Sequence, residues 1–254
     1  MNIKILVAAH KKYQMPTDRD LYLPIFVGKE LHPNSDIQFA GDNTGDNISN
    51  KNATYNELTA IYWAWKNLEA DAVGLDHYRR YMSETREKNI ESVLTKAQVE
   101  KLFESTDIIL PEKRKYYIQN NYQHYVHAHH AKPLDETRMV LKDLYPDYLE
   151  SYDDLMGHTS AHMFNMFIMK RNKFDDYCEW MFAILEELET RIDISEFDTY
   201  ERRVLGFISE LLLDVWINKN QFSYTEVKLV HMESQHWFKK GSKFLMRMFV
   251  KPRK

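Results

Sequence analysis

The chain has 254 residues, 44% of them hydrophobic, which is length and apolar material for one large α/β domain or two small ones. A single cysteine, Cys178, excludes an internal disulfide and a cysteine-rich zinc site. The formal net charge is −4, but the seven basic residues between Trp237 and Lys254 face no acidic ones, so the rest carries −11. An acidic body with a basic tail is not the profile of a nucleic-acid-binding protein.

The predicted elements alternate. "IKILVAA" (3–9) is an apolar first strand. "DIQFAG" (36–41) is a second strand, closed by the turn residues of "GDNTGDN". A helix follows: Thr54 and Glu57 have capping-box spacing, and Leu58, Ile61, Tyr62, Trp65 and Leu68 form an apolar stripe. "DAVGLDH" (71–77) is the next strand, "TKAQVEKLFEST" a helix and "DIILP" a strand. Residues 112–160 are polar, aromatic and histidine-rich without clear periodicity, and a long irregular functional loop is expected there. "HMFNMFIMK" (162–170) resumes as a strand. A helix follows with Phe174, Tyr177, Met181, Leu185 and Leu188 on one face, and Cys178 within it reads as a buried inert thiol. "RRVLGFISELLLDVWI" (202–217) is a helix apolar on two faces, and "SYTEVKLVH" (223–231) is the last strand. This predicts a single α/β domain over 1–236, with a mostly parallel central sheet and helices on both faces, followed by the basic tail 237–254. The chain shows no signal-peptide pattern and no stretch of transmembrane length, so a cytoplasmic location is expected.

The densest chemistry is "GLDHYRRY" (74–81), where an apolar strand ends in ionisable residues. In open α/β sheets ligands bind beyond the carboxyl ends of the strands. Asp76 there could hold a divalent metal, His77 could be a second ligand, and Arg79 and Arg80 suit phosphate oxygens. The bland alternative is a salt bridge between Asp76 and an arginine. "GDNTGDNISNKN" (41–52) could hydrogen-bond a sugar or base, or be ordinary turn chemistry; Glu57 is explained by the capping box. "HYVHAHH" (124–130) lacks the partners of a zinc site and reads better as part of a lid. His231 and His236, with Lys239 and Lys240 after them, could clamp a diphosphate or could simply be a polar strand exit. No P-loop and no G-x-G-x-x-G is present, against a P-loop kinase or a dinucleotide dehydrogenase.

Taken together, "HKKYQMPTDRDLYLPIFVG", "GDNTGDNISNKNATYNELTAIYWAWKN", "VGLDHYRRY" and "NMFIMKRNKFDDYCEWMFAILEELE" resemble a family of bacterial proteins encoded in capsule, exopolysaccharide and O-antigen gene clusters. That family was long catalogued as a domain of unknown function and is regarded as glycosyltransferase. The layout is also similar to GT-A glycosyltransferases. The resemblance implies that Asp76 takes the first position of an Asp-x-Asp motif holding metal and diphosphate, with Tyr78 where the second Asp would stand. It implies Asn47, Ser49 and Asn52 as donor contacts, Asn165 at the sugar pocket, His10 and Lys11 near the nucleotide, and His231 or His236 as a late metal ligand.

The implied activity is transfer of a sugar from a nucleotide-diphosphate sugar, first of all UDP-galactose in pyranose or furanose form, to a lipid-linked polysaccharide intermediate. The cofactor would be Mn2+ or Mg2+. Asp76 is placed at the reacting centre, and Asp153, Asp154 and Glu210 are candidate bases. Lys239 would reach the diphosphate. The tail "WFKKGSKFLMRMFVKPRK" fits an anionic membrane surface, and the protein would then be peripheral on the inner face of the membrane. Two other classes compete: a sugar nucleotidyltransferase, which usually carries a Gly-rich loop absent from "AAHKKYQMP", and a non-catalytic glycan-binding protein, which leaves the charged strand tip unexplained.

Overall fold

A computed structural model describes residues 1–233. His236, Lys239, Lys240 and the basic tail lie outside the described residues. In chain order the strands are β1 (Ile3–Ala9), β2 (Tyr22–Phe26), β3 (Ala40–Gly41), β4 (Ala72–His77), β5 (Arg80–Ser83), β6 (Ile108–Pro111), β7 (Arg114–Lys115), β8 (Ser160–Ala161), β9 (Phe167–Lys170) and β10 (Thr225–His231). The helices are α1 (Asn52–Tyr55), α2 (Leu58–Asn67), α3 (Lys96–Leu102), α4 (Asn121–Val126), α5 (Ala131–Leu144), α6 (Leu149–Gly157), α7 (Arg171–Arg191) and α8 (Val204–Asn220).

The main sheet is mixed, not mostly parallel. β1 runs parallel to β2 and β4, β3 continues the parallel edge beside β2, and β6 runs parallel to β10. β9 lies antiparallel between β4 and β6, and β5 lies antiparallel to β10 and touches β4 through His77 and Arg80. The physical reason is connection length. β5 begins three residues after β4 ends, and a turn that short can only reverse the chain. Where β9 crosses β4 the backbones approach closely: a Cβ on Gly74 would sit 2.9 Å from the Phe167 carbonyl oxygen.

Strand alternation divides the core in two. Val73 and Leu75 of β4 face the larger cluster, packed with α2, α7 and α8. Ala72 faces the smaller one, covered by Val99 and Phe103 of the α3 segment and by Tyr22, Tyr81 and Met82. Helices therefore lie on both faces, but very unevenly.

Four further expectations need correction. β2 was not anticipated because Pro24 interrupts its apolar run; it is tolerated because β3 pairs only with Ile25 and Phe26. The strand expected at 36–41 shrinks to Ala40–Gly41. Residues 112–160 are not one irregular loop: they hold α4, α5 and α6. The strand expected from 162 starts only at Phe167, because Phe164 and Asn165 turn the chain with φ of 77° and 55°.

Candidate active site

The carboxyl ends of the parallel strands β1, β2 and β4 converge on one cavity of about 810 Å³. β1 contributes Ala8 and, just past its end, His10; β2 contributes Phe26 and the loop to Ser35; β4 contributes His77 and the turn Tyr78–Arg79 into Arg80 of β5. Asn52, Asn56 and Glu57 close it from the segment before α2, and Phe164, Arg203 and Glu210 from the far side.

Its floor is built on the Phe164–Asn165 turn. Left-handed backbone is uncommon for residues other than glycine, and two such residues in succession persist only where their surroundings hold them. Here three sets of contacts do so. The Phe164 carbonyl accepts a hydrogen bond from His77 Nε2 at 2.7 Å, which requires that nitrogen to carry the proton. The Phe164 N–H interacts with the Glu210 carboxylate, and the Arg80 guanidinium lies 4.2 Å from the centre of the Phe164 ring. Asn165 Nδ2 donates to Glu57 Oε1 at 2.7 Å and to the Gly206 carbonyl, while Asn165 Oδ1 accepts from Ser209 Oγ at 2.9 Å. The Glu57 carboxylate and the Gly206 carbonyl can only accept, so they fix which way the amide points, with its NH2 toward Glu57.

Two carboxylates thus share the floor. Burial, reinforced by the negative charge of Glu57, pushes the Glu210 carboxyl up to about 7, against the pull of the Phe164 N–H, Arg114 and Arg80. His77 is held below the ordinary histidine value by burial, with Glu57 acting in the opposite direction. Beside the carboxylates the lining also carries cations. Burial and then the charges of Lys11, Arg79, Arg203 and His32 lower His10. Arg80 Nε is buried without a hydrogen-bond partner, a donor left open beside the cavity. Arg79 pairs with Glu233 at 3.3 Å, and Arg203 Nε donates to Asn56 Oδ1.

The wall is fixed by Asp42, which is fully buried. It accepts from the Gly28 and Lys29 N–H groups at 2.8 and 3.1 Å, from Thr59 Oγ1 at 2.5 Å, and from Ser49 Oγ. Gly28 has φ of +70°, and a Cβ there would lie 2.6 Å from Asn52 Oδ1, so glycine is needed for the chain to leave β2 against Asn52.

Of the residues anticipated from sequence, His10, Asn52, His77, Arg79, Arg80 and Glu210 line the cavity, and Asn165 stands directly behind it on Glu57. The others lie elsewhere. Asn47 caps the Ser49 N–H, and Ser49 serves Asp42, so both shape the wall from behind. Lys11 is exposed over the outer face of Tyr78. Asp154 is on the surface of α6 beside His158, and Asp153 pairs with Arg138. His231 ends β10 opposite Arg80 in register.

Asp76 is the largest displacement. It follows Leu75 and precedes His77, so alternation turns it to the opposite sheet face from the cavity. It is fully buried near Tyr22 and Tyr81; Oδ1 accepts from the Met82 N–H at 3.3 Å and Oδ2 has no hydrogen-bond partner. Burial raises this carboxyl well above the usual range. A hard divalent cation needs several oxygen ligands, and the described residues contain no group of three or more His, Cys, Asp or Glu side chains arranged to hold a metal ion. The donor set around Asp76 does not fit such an ion.

Sequence reasoning weighed Glu57 as a contact to a sugar hydroxyl but set it aside for a capping box, and missed Phe164, Arg203 and the 26–35 wall. The capping box that absorbed Glu57 does not form, because the chain breaks at Asn56 with φ of 52° and α2 starts at Leu58 without a side-chain cap. A usable signal was present in "VGKELHPNS" (27–35), whose Gly, Pro, Asn and Ser mark a loop directly after a strand.

Residues 4–221 match the family described as "Domain of unknown function (DUF4422)". Among solved structures, the chain is similar to the apo structure of the WbbM bifunctional glycosyltransferase, at 32% identity and a TM-score of 0.84. The likeness covers 92% of this chain and 46% of that one, so the chain spans about half the length of WbbM. No curated protein matches it.

Proposed function

We propose a glycosyltransferase activity for this chain, which belongs to the DUF4422 family. The observation that carries the reading is the cavity itself: one lining brings together three guanidinium groups, Arg79, Arg80 and Arg203, and two carboxylates, Glu57 and Glu210. The similarity to a bifunctional glycosyltransferase supports it.

The donor is a nucleotide-diphosphate sugar, in the first instance UDP-galactose in pyranose or furanose form. Its diphosphate lies against Arg80, whose planar guanidinium suits phosphate oxygens, with Arg79 and Arg203 in the same lining. The bond from the anomeric carbon to the phosphate oxygen breaks, and its electron pair leaves with the diphosphate. Positive charge grows on the sugar, and an acceptor hydroxyl oxygen forms the new bond. Glu210, with a value near neutrality, takes the hydroxyl proton. Glu57, oriented by Asn165, supplies negative charge beneath the sugar ring. His77 does not move a proton in this scheme: its Nε2–H is committed to Phe164, and it props the floor. The acceptor is a lipid-linked oligosaccharide. Among the described residues no helix is long and apolar enough to cross a membrane, so access to such an acceptor would be from the membrane surface.

The test is release of nucleoside diphosphate from a panel of nucleotide sugars, with a lipid-linked acceptor and with chelator or manganese added. Release from a UDP-sugar that falls sharply in both Arg80→Ala and Glu210→Gln supports the reading. Release indifferent to both substitutions would place the chemistry elsewhere.

A further inference from the structure

The stretch from Lys113 to Leu134 holds four Lys or Arg residues and no Asp or Glu across 22 positions, inside a body that is otherwise strongly acidic. Its opening, "KRKYYI", contains the two most exposed large apolar side chains among the described residues: Tyr117 at 83% and Ile118 at 66%. Arg114 and Lys115, immediately before them, are exposed as well.

This is not a loose loop. Arg114 and Lys115 form β7, paired antiparallel with β8. Tyr116 is buried, stacked on His124 at 3.8 Å, and its N–H donates to the Thr159 carbonyl. Gln119 is buried and bonded to His127 Nδ1 at 2.9 Å, and Asn120 forms a capping box with Gln123 at the start of α4. Between these anchors Tyr117 takes φ of 62°, which turns the chain outward. An aromatic and a β-branched residue are therefore held out in water by a braced turn, at a conformation that side chains of this size avoid. Exposed apolar groups held rigidly point to a binding surface.

We infer that the Tyr117–Ile118 turn is a wedge that seats the protein on an anionic lipid surface. A tyrosine and an isoleucine suit the boundary between headgroups and acyl chains, and cations beside them suit anionic headgroups. Arg114, three residues before Tyr117, is near enough to the cavity for its charge to act on Arg80 and Glu210. A protein seated this way holds its cavity close to the lipid surface. The inference concerns lipid binding alone, so it stands or falls apart from the proposed transferase activity.

The experiment is co-sedimentation of the full chain with vesicles of phosphatidylcholine, with and without phosphatidylglycerol. Wild type should partition onto the phosphatidylglycerol vesicles and release at high salt. Arg114→Gln combined with Lys115→Gln should weaken partitioning by about fivefold per charge, because one cation near anionic lipid contributes about 1 kcal/mol. Tyr117→Ser with Ile118→Ser should weaken it at least about tenfold, with an unchanged melting temperature because neither side chain is packed. As a second readout, Tyr117→Cys can be labelled with an environment-sensitive fluorophore while Cys178 stays buried and unlabelled. The label should shift to the blue on anionic vesicles only. Partitioning unchanged in both double variants, or a label that stays in water on bound vesicles, overturns the inference. Loss of binding to a protein partner with lipid partitioning intact would also overturn it.

Discussion

Glu210 and Asp214 sit one turn apart on α8, and each meets partners from the β8–β9 connection. Their surroundings differ completely. Asp214 is fully buried and satisfied: Oδ2 accepts from the His162 N–H at 2.8 Å and Oδ1 bonds His162 Nδ1 at 2.5 Å. The other ring nitrogen of His162 meets Glu226 at 3.1 Å, so the cluster staples α8 to β10. Glu210 borders a cavity, has a second carboxylate nearby and is pushed to about 7. A carboxylate whose lone pairs are all used holds a fold together. A buried carboxylate bordering a cavity beside a like charge, its value raised to near neutrality, is suited to proton transfer.

Four outcomes break or sharpen this contrast. The largest is kinetic: Glu210→Gln should lower sugar transfer by about a thousandfold, within the range for loss of an acid–base group, with the melting temperature held or slightly raised. If transfer survives, Glu210 is not the base. Next, Asp214→Ala should cost roughly 3–5 kcal/mol of stability by leaving the buried His162 Nδ1 and backbone N–H without their partner, while transfer per folded molecule stays close to wild type. A pure activity loss there would erase the distinction between the two clusters. The third concerns pH. Folding raises Glu210 from an ordinary 4.5 to about 7, so the folded protein holds a proton that the unfolded chain releases between those values. Stability should fall as pH rises from about 4.5 to about 7, and denaturant titrations of Glu210→Gln should lack that decline. An identical slope in both proteins would deny the shift. The smallest is Ser209→Ala. It removes the hydrogen bond to Asn165 Oδ1 and should cost about 1 kcal/mol, with a displaced pH profile of transfer as the amide that donates to Glu57 is held less firmly. A lowered melting temperature with an unmoved profile would make the serine merely structural.

β1, β4 and the helices α7 and α8 were legible because their signals are local. β1 is an unbroken apolar run, and α7 repeats its stripe over 21 residues. α4 to α6 were not, because α4 has only six residues and the buried face of α5 includes Pro133 and Thr137 among its aliphatic residues. At the site, the sequence pointed to the correct strand end but to the wrong side of it. Composition marks Asp76 and His77 equally, and only the pleat decides that His77 meets the cavity while Asp76 is sealed among Tyr22 and Tyr81. Glu57 was hidden for another reason: Thr54-to-Glu57 spacing satisfies a local rule that the left-handed Asn56 then breaks. Phe164 and Arg203 enter through contacts spanning 87 and 147 residues, which no local pattern records.

The most direct test of the account is a calorimetric titration of UDP into wild type and Arg80→Ala, repeated with Asp76→Asn. The cavity reading predicts that wild type binds, that Arg80→Ala binds at least tenfold more weakly, as expected for loss of a charge-assisted phosphate contact, and that folded Asp76→Asn binds as wild type does. Binding lost in Asp76→Asn and kept in Arg80→Ala would contradict it, moving the diphosphate to the opposite face of β4.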